Sequence, residues 1–155
     1  MGNLTSKDTP LAEITLRKYE RPFNLERREL VKKICLSLGL LQPGDSRDVI
    51  VDVFQVILDS KTPLTAEDII EAVIKNRSKY KLAQSGVAGS NIRRQIRRLK
   101  ELFLIEKADN SYRVTENSSL IEIFEEKIEK FYLRTIVDRV KEYLAEVKKP
   151  DQKTK

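Results

Sequence analysis

The sequence predicts a mainly α-helical protein with one small β-hairpin. Apolar residues recur at helical spacing in several segments, and residues 103–107 and 112–115 are two short segments that fit the strands of a hairpin. Glycine and proline are frequent up to Gly89 and then absent until Pro150. This distribution predicts short helices in the first part of the chain and a long helical stretch at its end.

The composition is typical of a single folded domain. The chain has 155 residues, 40% of them hydrophobic, and no apolar run approaches the roughly 18 residues of a membrane span. Residues 1–10 contain no charged-then-apolar leader pattern, so we expect a cytoplasmic protein with no membrane contact. A charged fraction of 35% without tryptophan is also typical of thermophilic proteins.

The residue content argues against an enzyme. Histidine is absent, which removes the commonest general base and the commonest metal ligand. The single cysteine, Cys35, lies between apolar residues and is expected to be a buried core residue. Residues 86–90 lack the Gly-Lys pair of a phosphate-binding loop. We therefore expect no catalytic site, no cofactor and no metal.

Residues 11–45 are predicted to form an N-terminal extension with one helix. Residues 14–16 fit a short strand within it. Asn24 is placed to cap a helix over residues 25–38, and Gly39 is placed to end that helix.

Two further helices are predicted in the middle of the chain. Residues 47–60, capped by Asp45 or Ser46, are apolar nearly all round, so this helix is expected at the centre of the core. Thr65 begins a capping-box pattern at the start of a helix over residues 65–76.

The charge of the chain is concentrated in one block. Residues 72–100 contain nine basic and no acidic side chains, whereas the other 126 residues carry 21 basic and 24 acidic ones. A net charge of +6 thus conceals a strongly basic segment in a slightly acidic remainder. This asymmetry indicates a polyanionic partner.

Residues 91–102, with Ser90 as the predicted cap, form the fourth predicted helix and hold most of this charge. Its apolar side chains at positions 92, 96, 99 and 103 lie within about 40° of one another and are expected to face the core. The other face is polar and strongly basic, and it carries Ser90, Arg94, Arg97, Arg98 and Glu101, flanked by Arg93 and Lys100.

The order of these elements carries a resemblance to a known superfamily. A buried helix, a capped helix, an Arg-rich helix and a hairpin follow one another over residues 46–116. This segment resembles the winged helix-turn-helix superfamily, because residues 90–107 (SNIRRQIRRLKELFLIEK) look like a recognition helix entering the first wing strand. Residues 112–116 look like the returning strand. The resemblance implies that the recognition helix enters the major groove and that the wing lies along the DNA.

Charge and resemblance together predict a double-stranded DNA-binding protein, a transcriptional regulator associated with the nucleoid. The side chains expected to contact the phosphate backbone are Lys75, Arg77, Lys79, Lys81 and Arg93, with Lys107 and Arg113 as further candidates on the wing. The side chains expected to contact bases are Ser90, Asn91, Arg94, Arg97 and Arg98.

Two other interpretations of the basic helix stay open. Its charge also fits a solvated surface helix of a charge-rich protein. Alternatively, the chain is a winged-helix protein–protein adaptor in a transcription or replication assembly.

Residues 117–149 are predicted to form two C-terminal helices. Apolar residues at 120, 124, 128 and 131 make one face, and those at 133, 136, 137, 140, 144 and 147 make a second face out of register with the first. We therefore expect a kink or break at residues 132–135. This apolar surface suggests a homodimer through residues 118–148, with packing against the N-terminal helix as the alternative.

The predicted organisation is, in chain order, a disordered tail (1–10), the N-terminal extension (11–45), the winged-helix domain (46–116), the C-terminal helices (117–149) and a second disordered tail (150–155).

Overall fold

The protein is mainly helical, with one two-stranded antiparallel sheet. The computed structural model describes residues 7–150, so most of the predicted N-terminal tail and residues 151–155 lie outside it. Lys7 and Asp8, assigned to the N-terminal tail by the sequence, have helical backbone. None of the helices within residues 7–150 combines the length and hydrophobicity required to cross a membrane.

Four helices form the body of the molecule, and they are α1 (Arg27–Ser37), α2 (Val49–Asp59), α3 (Ala66–Lys79) and α4 (Gly89–Glu101). The nearly uniformly apolar α2 lies at the centre, as predicted, and packs against the other three. Phe54, Val51 and Val53 of α2 are fully buried, since every side of this helix is covered.

The capping residue predicted from the sequence is confirmed at one of the four helix starts. At Thr65 the predicted capping box is present, because the Asp68 N–H donates to Thr65 Oγ1 at 3.1 Å and the Thr65 N–H donates to Asp68 Oδ2 at 3.2 Å. The other cap predictions were wrong. The residues that precede α1, α2 and α4 are Glu26, Asp48 and Ala88, and none of them makes a side-chain capping hydrogen bond.

Gly39 ends α1, as predicted, with a backbone φ of +74°. A Cβ atom at this position would lie 2.6 Å from Cβ of Thr15, so glycine is required by both the turn and the close approach. The strand predicted at residues 14–16 is absent. Instead, the Arg17 guanidinium donates to the carbonyl of Leu36 at 2.7 Å and to that of Leu41 at 3.2 Å. These bonds attach the start of the N-terminal extension to the end of α1 and to the connection that follows it.

The hairpin consists of β1 (Ile105–Ala108) and β2 (Ser111–Val114), with Asp109 at a φ of +58° in the turn. Its strands are within two residues of the predicted positions. A contact that the sequence did not indicate ties the hairpin to the helices. Leu64, in the connection between α2 and α3, exchanges two backbone hydrogen bonds with Tyr112, at 3.0 and 2.7 Å.

The C-terminal part is one continuous helical rod, so a break at residues 132–135 was a wrong expectation, although the change from π-helical to α-helical turns falls at residues 132–133, inside the predicted interval. It comprises α5 (Leu120–Ile123), a π-helical segment (Phe124–Tyr132) and α6 (Leu133–Glu146), and the backbone keeps right-handed helical angles at both junctions. The wider turns of a π-helix shift the phase of the side chains. This shift explains why the two apolar faces are out of register without a break in the helix.

Candidate nucleic-acid interface

The outward surface of α4 is the most basic part of the described structure. Ile92, Ile96 and Leu99 are buried, as the predicted apolar stripe requires. On the opposite side Ser90, Arg94 and Arg97 are exposed. The amphipathic spacing therefore places two guanidinium groups one helical turn apart, facing away from the core.

Arg94 and Arg97 make no ion pair with any of residues 7–150. Two unneutralised guanidinium groups on neighbouring turns repel each other, which costs stability in the isolated protein. The repulsion becomes attraction when a polyanion lies against the helix. Arginine also matches the geometry of guanine O6 and N7 and of phosphate, to which it donates two parallel hydrogen bonds.

Side chains on one flank of α4 form hydrogen bonds within the protein. Asn91 and Arg98, which were predicted to contact bases, are on this flank. Asn91 donates from Nδ2 to the carbonyl of Gly86 at 2.8 Å and accepts from Gln95 Nε2 at 3.1 Å. Arg98 donates to Gln95 Oε1 at 2.8 Å and to the carbonyl of Leu40 at 2.7 Å. Asn91 and Arg98 therefore position the helix, because their polar groups bind the loop before it and the connection after α1.

Burial lowers the pKa of Arg98, and the neighbouring positive charge of Arg94 lowers it further. Arginine titrates so far above neutrality that the guanidinium stays charged. Its charge thus remains at the wall of a cavity of about 600 Å³ that Arg47 and Arg94 also line.

Arg47 is a basic residue of this surface that sequence reasoning missed. Its side chain is 88% exposed and pairs with Asp45 at 3.1 Å. No local pattern distinguishes Arg47, since only the tertiary fold brings the α1–α2 connection beside α4. The hydrogen bond between Asn91 and Gln95, in contrast, could have been predicted from the sequence, because amide side chains four residues apart meet on a helix.

Arg77 was wrongly expected to face a phosphate. It is 5% exposed, and its NH1 lies 2.7 Å from Asp52 Oδ2 and 3.2 Å from Asp48 Oδ1. The fully buried Asp52 also accepts hydrogen bonds from Arg28 at 3.0 Å and from Asn76 at 2.9 Å. This buried ion-pair cluster joins α1, α2 and α3, so the charge of Arg77 is neutralised inside the molecule.

The other predicted residues near α3 remain on the surface. Lys75, Lys79 and Lys81 are exposed and make no ion pair within residues 7–150. The ammonium group of Lys79 lies 5.5 Å from the ring centroid of Tyr80. Arg93, on the flank of α4 that faces α3, is half-exposed and pairs with Glu67 at 3.2 Å. Because both members of that pair are exposed, a stronger anion can displace the carboxylate at little cost.

The two predicted wing residues differ from each other. Lys107 is exposed, with its ammonium group 5.9 Å from the ring centroid of Tyr112. Arg113 is paired across the strands with Glu106, at 2.8 Å from Nε and 2.7 Å from NH2. Lys107 is therefore available to an anion, whereas Arg113 is held by a carboxylate.

Comparisons of the chain with family models, with curated proteins and with solved structures give no match. The interpretation of this surface therefore depends on its geometry and its charge.

Proposed function

We propose that the protein binds double-stranded DNA through α4 and acts as a nucleoid-associated transcriptional regulator with a winged helix-turn-helix core over residues 46–116. The observation that carries the proposal is the set of exposed cationic side chains of α3, α4 and their connection that have no carboxylate partner within residues 7–150, namely Lys75, Lys79, Lys81, Arg94, Arg97 and Lys100.

The architecture supports the same function. The helices α2, α3 and α4 and the hairpin follow each other in the order of a winged helix-turn-helix. The hydrogen bonds between Leu64 and Tyr112 join the hairpin to the helical part, so that helices and hairpin form one unit. The basic face of α4 points away from this unit, as a helix entering a groove requires.

Each part of the surface has a distinct role in this proposal. Arg94 and Arg97 contact base edges in the major groove, because they are the exposed arginines of α4 that have no carboxylate partner within residues 7–150. The lysines of α3 and of the connection that follows it contact phosphates, as does Arg93 once Glu67 is displaced. Lys107 contacts the backbone from the wing. Arg77 and Arg98 maintain the shape of the surface from inside.

Binding of labelled duplexes, measured by fluorescence anisotropy, tests the proposal. The parent protein should bind a random-sequence duplex at low salt, and selection from a random duplex pool should yield a preferred site. On that site Arg94→Ala and Arg97→Ala should each weaken binding by about 1–3 kcal/mol, or roughly 5- to 150-fold. Arg134→Ala, which removes an exposed arginine of α6, is the matched control and should bind like the parent.

A parent protein that binds no duplex at low salt overturns the proposal and favours the protein–protein adaptor. If the protein binds DNA but both arginine variants have the parent's affinity, α4 does not contact the bases.

A further inference from the structure

From Val137 onward, the helix α6 carries an apolar face that is exposed in the described structure, whereas Leu133 and Ile136 at its start are half-buried. It has no buried residue, and its contacts are mainly with the π-helical segment that runs directly into it. Along the face, Val140 is 52% exposed and Leu144 is 64% exposed, and Val147, which directly follows α6, is 82% exposed. Within residues 7–150, α1 makes no substantial contact with α6, so packing against the N-terminal helix does not account for this part of the rod.

The last part of the rod gains little stability from packing in the single chain. Most helical stability in proteins comes from packing of an apolar face, and α6 leaves most of its apolar face exposed. The exposed ion pairs Arg134–Asp138 and Arg139–Glu142 add only about 0.2–0.5 kcal/mol each. A partner that covers the apolar face supplies the missing stabilisation.

The spacing of the apolar residues identifies the kind of partner. Apolar residues recur every seven residues at Leu133, Val140 and Val147. Ile136 lies three residues after Leu133, and Tyr143 lies three residues after Val140. These are the a and d positions of a coiled-coil heptad. Val137 and Leu144, each one residue after a d position, widen the apolar face.

We propose that α6 pairs with α6 of a second copy of the chain in an antiparallel coiled coil. In the register that packs Val140 against the partner's Tyr143, Ile136 packs against the partner's Val147. The same register sets Val137 against the partner's Leu144, so the two wider positions also bury each other.

Charge selects the antiparallel direction. The residues before each a position, Arg139 and Glu146, face each other across the antiparallel pair and form two symmetric ion pairs. In a parallel pair, Arg139 would instead lie beside the apolar Leu144 of the partner, with no opposite charge. The antiparallel direction also places the two folded bodies at opposite ends of the paired helices, where they do not collide.

This pairing is independent of the proposed DNA binding, since a monomer could bind DNA and a dimer could bind none. Light scattering coupled to gel filtration should give a dimer of twice 18.0 kDa. Val140→Glu and Leu144→Glu should yield monomers whose four-helix body unfolds at the parent's temperature, because both residues are exposed in the single chain. The control Lys141→Glu changes charge outside the pairing face and should remain dimeric. A monomeric parent, or glutamate variants that stay dimeric, overturns the proposal.

The direction of pairing has its own test. Arg139→Glu and Glu146→Arg should each weaken the dimer, because each places like charges opposite one another, and the double variant should recover the parent's dissociation constant. A double variant as weak as the singles overturns the antiparallel register.

Disulfide trapping gives a second readout of direction. Oxidising a mixture of the Val140→Cys and Tyr143→Cys proteins should give mainly the mixed dimer if the helices are antiparallel, and mainly the two like dimers if they are parallel. The native Cys35 does not interfere, because it is fully buried and burial raises the pKa of its thiol to about 12.

Discussion

At the scale of single residues, the molecule uses its arginines in opposite ways. Arg94 and Arg97 are exposed without a carboxylate partner within residues 7–150, whereas Arg77 is buried against two carboxylates. The buried pairing is costly to form, since both charges lose their hydration, and it is costlier to break. The same residue type therefore serves the proposed DNA contact at one position and the fold at the other.

This difference predicts the effect of removing Arg77. In Arg77→Ala the buried Asp52 loses its closest cation, so we expect the free energy of unfolding to fall by about 3–5 kcal/mol in a urea titration. Lys75→Ala, an exposed change on the same helix, should alter stability by less than about 0.5 kcal/mol. If Arg77→Ala is as stable as the parent but weakens DNA binding, the buried assignment is wrong.

At the scale of elements, one carboxylate links the two strands of the hairpin to the turn that follows them. Glu106 on β1 accepts the backbone N–H of Glu116 at 3.0 Å and pairs with Arg113 on β2. The hydrogen bond from the Glu116 N–H, with a smaller effect from Arg113, lowers the pKa of Glu106 below its ordinary value. Glu106 thus connects the hairpin to the turn that leads into the C-terminal rod.

The direction of this shift fixes a pH dependence. A carboxyl whose pKa is lower in the folded state stabilises that state above its unfolded pKa of about 4.3, and the stabilisation is lost as pH falls through the folded pKa. Between about pH 6 and pH 3, we expect the melting temperature of Glu106→Gln to fall less than that of the parent. Glu129→Gln, at an exposed position, should follow the parent, and identical pH profiles for all three proteins would contradict the role of Glu106.

At the scale of the whole molecule, the separation of charge governs the proposed binding. Six exposed cationic side chains of α3, α4 and their connection lack a carboxylate partner within residues 7–150, namely Lys75, Lys79, Lys81, Arg94, Arg97 and Lys100. Because Arg94 and Arg97 are assigned to base edges, the phosphate contacts are the four lysines of this set together with Arg93 and Lys107. If each of these six neutralises a phosphate, the logarithm of the DNA affinity should fall against the logarithm of the salt concentration with a slope of about −5.

Changing Lys75, Lys79 and Lys81 to alanine should reduce that slope to about −3 without changing the selected site, because phosphate contacts carry no sequence information. Affinities measured over a series of salt concentrations, with parent and triple variant side by side, give both slopes. An unchanged slope in the triple variant would place these lysines outside the interface.

The sequence by itself determined the features that depend on neighbours along the chain. Helical periodicity predicted α4 and its buried stripe, the Thr65 pattern predicted a capping box, and the turn residues predicted the hairpin to within two residues. Each of these depends on interactions within a few residues, which the local sequence states directly.

Only the tertiary structure decided which charges are exposed. Arg77 and Arg97 lie in the same basic segment of the sequence. In the fold, Arg77 packs beside Asp52 of α2, whereas Arg97 has no carboxylate partner within residues 7–150. The helical projection placed Arg98 on the outward face of α4. In the fold, its guanidinium group donates a hydrogen bond to the carbonyl of Leu40. Burial and charge pairing are long-range properties, because they depend on residues brought together by folding rather than by sequence.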